Sequence, residues 1–275
     1  MGDMQNDQGI GAGKSIEEGS LETSMVGGAP SVQRVARLTL MVCFLSLLVC
    51  ALCRGQDQPD PELWVKEAES VLANTESYTS IFHKQEWVKG RYKEPETVYL
   101  KFKKPFKVYM KWIGEAGKGR EILYVEGWND NRIRVREIGI RGLITLNLHR
   151  HGHLAMGGSR HPVTEVGLAC LLKMFGDNLQ KGSKSGELGY QRGEERTLYG
   201  RKIQPMEFIF PKEPRNGYYC YRTIISLDIE KRVPIRVQVY DWEDRLVEDY
   251  GYEKLALNAG LTDADFDPRN SEYSF

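Results

Sequence analysis

Four of the chain's five histidines fall in one stretch, "NLHRHGHLAMGGSRHPVTEVGLACLLKMF" (Asn147 to Phe175). Alternate spacing of His149, His151 and His153 on a strand would put three imidazoles on one face, a set that can bind zinc or copper. Gly152 weakens a strand at that point, and Gly157-Gly158-Ser159 opens a loop just beyond. No Cys, Asp or Glu nearby is placed to complete or orient the set. An exposed loop is therefore expected, and no metal or other cofactor is assigned. His161 differs, because Arg160-His161 precedes Pro162 and Glu165 follows. Proline at the first turn with an acid shortly after is helix-start chemistry. Arg160, His161 and Glu165 are read as a helix start, with Arg160 or His161 paired to Glu165.

Two acidic runs invite a calcium reading. Asp241, Glu243, Asp244, Glu248 and Asp249 lack the loop spacing of a helix–loop–helix calcium site and are expected at an exposed hairpin tip. Asp263, Asp265 and Asp267 fail the same test and read as turn and cap residues that pin the C-terminal segment. "GIGAGKS" (Gly9 to Ser15) is too short for a phosphate loop and has no strand before it. No nucleophile motif accompanies any of these groups, and an enzyme is not expected. Outside the N-terminal apolar run only Cys170 and Cys220 remain. An oxidising compartment would permit a disulfide between them, and two buried free thiols fit equally well.

These groups must be carried by something, and the something is mainly strands. "PELWVKEAESVLANTES" opens with Asp60 as N-cap and Pro61 at the first helical position. Trp64, Ala68, Val71 and Leu72 make one apolar helical face. Then "TVYLKF", "FKVYMKW", "REILYVEG", "RIRVREIGI" and "GLITLNL" alternate apolar and polar residues. Such one-sided segments, joined by short turns, read as an antiparallel meander with one solvated face. Pro162 to Asn178 predicts a second helix, with Val163, Val166, Ala169, Cys170, Lys173 and Met174 at helical spacing, ending before Lys181-Gly182-Ser183. Strands resume with "RTLYGRKIQPMEFIF", "YYCYRTIISLDI", "VPIRVQVYDW" and "LVEDYGYEKLAL". About nine to eleven strands and two principal helices are expected.

The fold class is thus mainly β with helices (α+β), as a strongly curved antiparallel sheet that forms an incomplete barrel covered by helices. A sheet this long must curl or close to limit its edges. A barrel that is not completely filled has room for an apolar ligand. Val98, Leu100, Phe102, Phe106, Val108, Met110, Trp112, Tyr124, Met206, Phe208 and Phe210 either line such a cavity or pack as core.

The N-terminal part reads differently. Residues 1–33 are polar and without apolar periodicity, which predicts disorder. In residues 34–55, Arg34 and Arg37 precede an apolar run from Leu38 to Cys53, short for a membrane span and fitting a secretory signal peptide or an uncleaved signal anchor. Residues 56–60 are a linker, and residues 61–275 a single half-barrel domain. Export to the periplasm or cell envelope follows, with membrane proximity through the N-terminal segment. The formal net charge of +0 gives no basic excess for nucleic acid.

"ETVYLKFKKPFKVYMKWI" with "GREILYVEGWNDNRIRV" resembles the periplasmic lipoprotein carriers of the LolA/LolB type. "SRHPVTEVGLACLL", "YRTIISLDIEKRVPIRVQVYDWEDRLVEDYGYEKLALNAGLTDADFDPRN" and the closing "EYSF" resemble the bacterial domain-of-unknown-function 1571 family, from about residue 61 to the end. The resemblance implies a half-open barrel with helices over its apolar mouth and an envelope location. It carries no catalytic residue across. Binding of an acyl chain, lipid or lipoprotein is the leading functional expectation. An envelope scaffold or interaction module with a filled core comes second, and a metal-binding enzyme at His149, His151 and His153 last.

Overall fold

The structure, a computed structural model, describes residues 60–139, 144–214 and 217–275. The polar leader and the Leu38–Cys53 run lie outside them. Helix α1 (Pro61–Ala73) begins as its sequence dictates: the Asp60 side chain accepts the Glu62 N–H at 2.8 Å, and Trp64, Ala68 and Leu72 are buried. Among the described residues no helix is long and apolar enough to cross a membrane.

The strands are β1 (Ser77–Val88), β2 (Arg91–Tyr92), β3 (Glu96–Lys103), β4 (Lys107–Trp112), β5 (Glu121–Val125), β6 (Arg132–Arg136) and β7 (Thr145–His149). After the helices α2 (His153–Met156) and α3 (Leu168–Ser185) come β8 (Gly189–Arg192), β9 (Arg196–Leu198), β10 (Arg201–Ile209), β11 (Arg222–Asp228), β12 (Pro234–Tyr240) and β13 (Leu246–Leu257). All join one sheet in the order β7-β6-β5-β4-β3-β1-β13-β12-β11-β10-β8, with β2 on β1 and β9 on β10. Every pairing is antiparallel, and β7 and β8 at the two ends of that order do not pair. The described strands begin in the middle of the sheet with β1 and meander outward to β7; the path then crosses to the opposite edge through α2 and α3 and meanders back until β13 pairs with β1.

The sheet is strongly curved. Met110 on β4 and Val237 on β12 are four strand spacings apart, ~19 Å on a flat sheet, yet both line one cavity. Helices α1 and α3 sit on the inner face, where Trp64 stacks on Phe175 at 5.5 Å and Phe175 meets Phe208 of β10 edge-on at 4.6 Å.

Three expectations need correction. The longest stretch missed is β1, twelve residues at the centre of the sheet, and the strands among the described residues number 13. The second helix is not 162–178. Val163–Glu165 form a separate 3-10 turn, Gly167 at φ 119 breaks the path, and α3 then runs to a left-handed Gly186. Its buried stripe is Leu168, Leu172, Phe175, Leu179 and Gly182, because the register is set by docking on Phe208 and Phe210. Finally, the outer face of β3–β5 is not wholly solvated. Tyr109 and Leu123 are buried there with Phe266 of the C-terminal segment, and Tyr273 stacks on Tyr109 at 3.8 Å.

Candidate functional site

The inner face of β1 and β13 carries charge where aliphatic residues would be ordinary. Glu86 and Glu248 are direct partners in the β1–β13 register, and both are almost fully buried. Two like charges in that relation destabilise a sheet unless cations and donors compensate them. Here Tyr250 donates its hydroxyl to Glu86 Oε1 at 2.5 Å, and Lys84 Nζ lies 3.2 Å from Glu86 Oε2. Glu248 Oε1 accepts from Arg160 Nε at 2.6 Å, from His161 Nε2 at 3.1 Å and from the Tyr219 hydroxyl.

The crossing segment supplies half of this network. Ser159 accepts from Lys84 Nζ at 2.8 Å and donates to the His161 carbonyl at 3.0 Å. Arg160 donates its backbone N–H to Glu86 Oε2 at 3.0 Å as well as its guanidinium to Glu248. His161 Nδ1 lies 2.7 Å from Glu165. Past the 3-10 turn, the chain is tied down again where the Leu168 N–H donates to the Tyr78 hydroxyl of β1 at 3.1 Å. Gly167 is required between them, since a Cβ there would lie 2.7 Å from that hydroxyl oxygen.

The network sets the charge states. Burial alone would lower the His161 pKa, but hydrogen bonds and charge from Glu248 and then Glu165 raise it above the ordinary value. Burial alone would raise Glu248, and His161, Tyr219 and Arg160 together hold it below the usual carboxylate range. Tyr219 and Tyr250 are pushed up, first by burial and then by the glutamates, so both hydroxyls stay protonated as donors. Cys220 also lines the site, and burial pushes its thiol up to about 11.

Beside this network lies a cavity of about 80 Å³ between α3 and the sheet. Its apolar side is made by Phe82, Met110, Met174, Phe175, Val237 and Tyr252, and its polar side by the Glu86–Glu248 network. A second, outer space of about 200 Å³ runs under residues 154–166. Lys84, Met110, Ser159, His161 and Val166 line both, so polar groups and Met110 stand at the junction.

A family model for proteins of unknown function, DUF1571, matches residues 75–275. The chain belongs to the DUF1571 family. No curated protein matches it. Among solved structures it is similar to the lipoprotein LppX of Mycobacterium tuberculosis, at 13% identity and a TM-score of 0.46, over 76% of this chain and 100% of that one. It is also similar to a putative outer membrane lipoprotein-sorting protein domain of Vibrio parahaemolyticus, at 11% identity and a TM-score of 0.35, over 76% and 97%. A LolA superfamily protein of Nitrosomonas europaea gives 10% identity and a TM-score of 0.30, over 73% and 97%.

The residues singled out from the DUF1571 sequence are placed as follows. Met110 and Trp112 line one or both spaces. Val98, Leu100, Phe102, Val108, Tyr124, Met206, Phe208 and Phe210 are buried in the packed core, and Phe106 packs against it, so none of these nine lines either space. His149 ends β7, His151 lies in the following turn and His153 starts α2, all three exposed. Among the described residues no group of three or more His, Cys, Asp and Glu is placed to hold a metal ion. Arg160, His161 and Glu165 do not start α3, which begins at Leu168 beyond the 3-10 turn; His161 pairs with Glu165, and Arg160 and His161 both reach Glu248. The hairpin-tip reading of Glu248 and Asp249 is corrected. Both lie within β13, Glu248 inward and Asp249 bound by Arg236 through two contacts of 2.8 and 2.6 Å. Cys170 and Cys220 are free thiols.

Proposed function

We propose that this protein is exported to the cell envelope and there binds one apolar chain, an acyl or alkyl group, between α3 and the inner face of the sheet. Its role is to hold or carry that chain, and it performs no catalysis. The observation that supports this is the void beside Met110, apolar on the α3 side and sharing the Met110 and Val166 wall with the outer space. An inner space of about 80 Å³ is roughly half the ~150 Å³ void that admits benzene. It suits the end of a single chain and excludes a whole two-chain lipid. The acids and bases at its polar end are spent on one another, and a thiol held near 11 is a poor nucleophile. Export rests on the Leu38–Cys53 run, with residues 61–275 acting as one domain that is either released or kept at the membrane by that run.

Uptake of an apolar naphthylamine fluorophore by delipidated protein tests the reading, together with native mass spectrometry of protein purified from the envelope. Val237→Trp, which fills the apolar side, should abolish uptake while the circular dichroism is unchanged. If neither co-purified lipid nor uptake is seen, a second reading takes over, an envelope interaction module with a filled core. The nine packed residues among the eleven singled out favour that alternative.

A further inference from the structure

The polar end of the cavity has an unfilled position at Glu248. Both oxygens of Glu86 are engaged, Oε1 by Tyr250 and Oε2 by the Arg160 N–H and Lys84. On Glu248 the three donors, Arg160, His161 and Tyr219, all converge on Oε1. Glu248 is about 1% exposed and lines the cavity, and its Oε2 receives none of these three bonds. A carboxylate oxygen at a cavity wall keeps a lone pair for a donor, and a hydrogen bond to an ionised acceptor is among the stronger ones.

The surrounding charge sets the sign of the ligand. Each cation at this end already faces a carboxylate: Lys84 faces Glu86 and Glu96, Arg160 faces Glu248, and His161 faces Glu165 and Glu248. A carboxylate or phosphate head would enter beside two buried glutamates with no uncommitted cation to receive it. A hydroxyl or an ammonium would meet an acceptor with an open lone pair.

Resting on the binding of an apolar chain in this cavity, we infer that the chain's polar end is a hydrogen-bond donor, a hydroxyl or an ammonium, received by Glu248 Oε2. Glu248 thereby becomes the residue that selects among amphiphiles of equal chain length.

The test uses delipidated exported protein loaded with the naphthylamine fluorophore and titrated with decanol, decylamine and decanoate at neutral pH. Decanol or decylamine should displace the probe at about one-tenth the concentration of decanoate or less, the factor that one hydrogen bond of ~1.4 kcal/mol supplies. Which of the two acts more strongly tells hydroxyl from ammonium. In Glu248→Gln the discrimination among the three heads, read as the ratio of their displacing concentrations, should collapse to about one. Should that variant fail to fold, the three heads compared on the unaltered protein decide the matter alone. Decanoate displacing as well as or better than the other two overturns the inference and leaves the cavity reading intact. A protein that takes up the probe from no solution overturns both, and the two failures are told apart by the probe signal.

Discussion

Arg160 stands between Glu86 and Glu248, giving its backbone N–H to one at 3.0 Å and its guanidinium to the other at 2.6 Å. The two glutamates are neighbours in the β1–β13 ladder, which is the seam where the first and last of the described strands meet. The segment that crosses from one sheet edge to the other therefore completes the seam electrostatically. Seam, crossing segment and cavity wall are one unit.

Removing Arg160 should expose that dependence. In Arg160→Ala, Glu248 stays buried with a lost partner, and we expect a loss of about 2–3 kcal/mol in urea denaturation at neutral pH. This is below the ~3–5 kcal/mol of a wholly buried pair because the guanidinium is 34% exposed. Glu248 then titrates at higher pH than in the parent, so the deficit should shrink as the pH is lowered toward the carboxylate range. An unchanged deficit at acid pH would show that packing, not charge, accounts for it.

His161 gives the opposite pH dependence. It faces Glu248 of β13, Glu165 of its own segment, Tyr219 and the adjoining Arg160. Its folded pKa is raised, with burial opposing and the two glutamates prevailing. A raised value means its contribution is full below the unfolded value of about 6.5 and is lost as pH rises through the folded value. Stability should fall over that interval in the parent protein, and the fall should flatten in His161→Gln. Denaturation midpoints taken every half pH unit check it, and a parent curve that rises there refutes the assignment.

Most of the sheet was legible in its alternation. Val233, Ile235, Val237 and Val239 are buried as the period of two requires, while Arg236 and Gln238 are less so. Asp60 and Pro61 started α1 as their chemistry dictates. The site was not legible, for the reason that makes it a site. β1 reads "SYTSIFHKQEWV", and its inner face carries Ser80, Lys84 and Glu86, which breaks the apolar alternation that marks a strand. Its β-branched and aromatic residues at Tyr78, Thr79, Ile81 and Phe82 were the available signal. Glu248 looked like one more acid in an exposed run because register across 162 residues of chain cannot be read from local pattern. The burial of Tyr109, which alternates with Lys107 and Lys111, was not legible because the segment that covers it lies at the far end of the sequence.

Gly167 offers a backbone test of how β1 holds the start of α3. Gly167→Ala combines a φ of +119 with a Cβ 2.7 Å from the Tyr78 hydroxyl, and should cost about 1–3 kcal/mol. Tyr78→Phe removes the clash along with the bond to the Leu168 N–H. The double variant should therefore lose less than the two single losses added together, a coupling measurable in a double-mutant cycle. Strict additivity would mean that the strain is purely one of backbone angle.

The C-terminal segment should prove integral to β3–β5. Thr262 and Asp265 form a capping box, Asp265 accepts from Lys101 at 3.1 Å, and Asp263 from Lys107 at 2.6 Å. The Tyr273 hydroxyl donates to the Asp265 carbonyl at 2.5 Å while its ring stacks on Tyr109. Phe266 is the buried centre of this patch. Phe266→Ala should cost about 3 kcal/mol, the lower end for a buried phenylalanine, because its small cluster is flanked by partly exposed residues and can partly collapse. Hydrogen exchange should accelerate in β4 and β5 and remain slow in β11 and β12. Equal acceleration in all four strands would show instead that the segment stabilises the protein only globally.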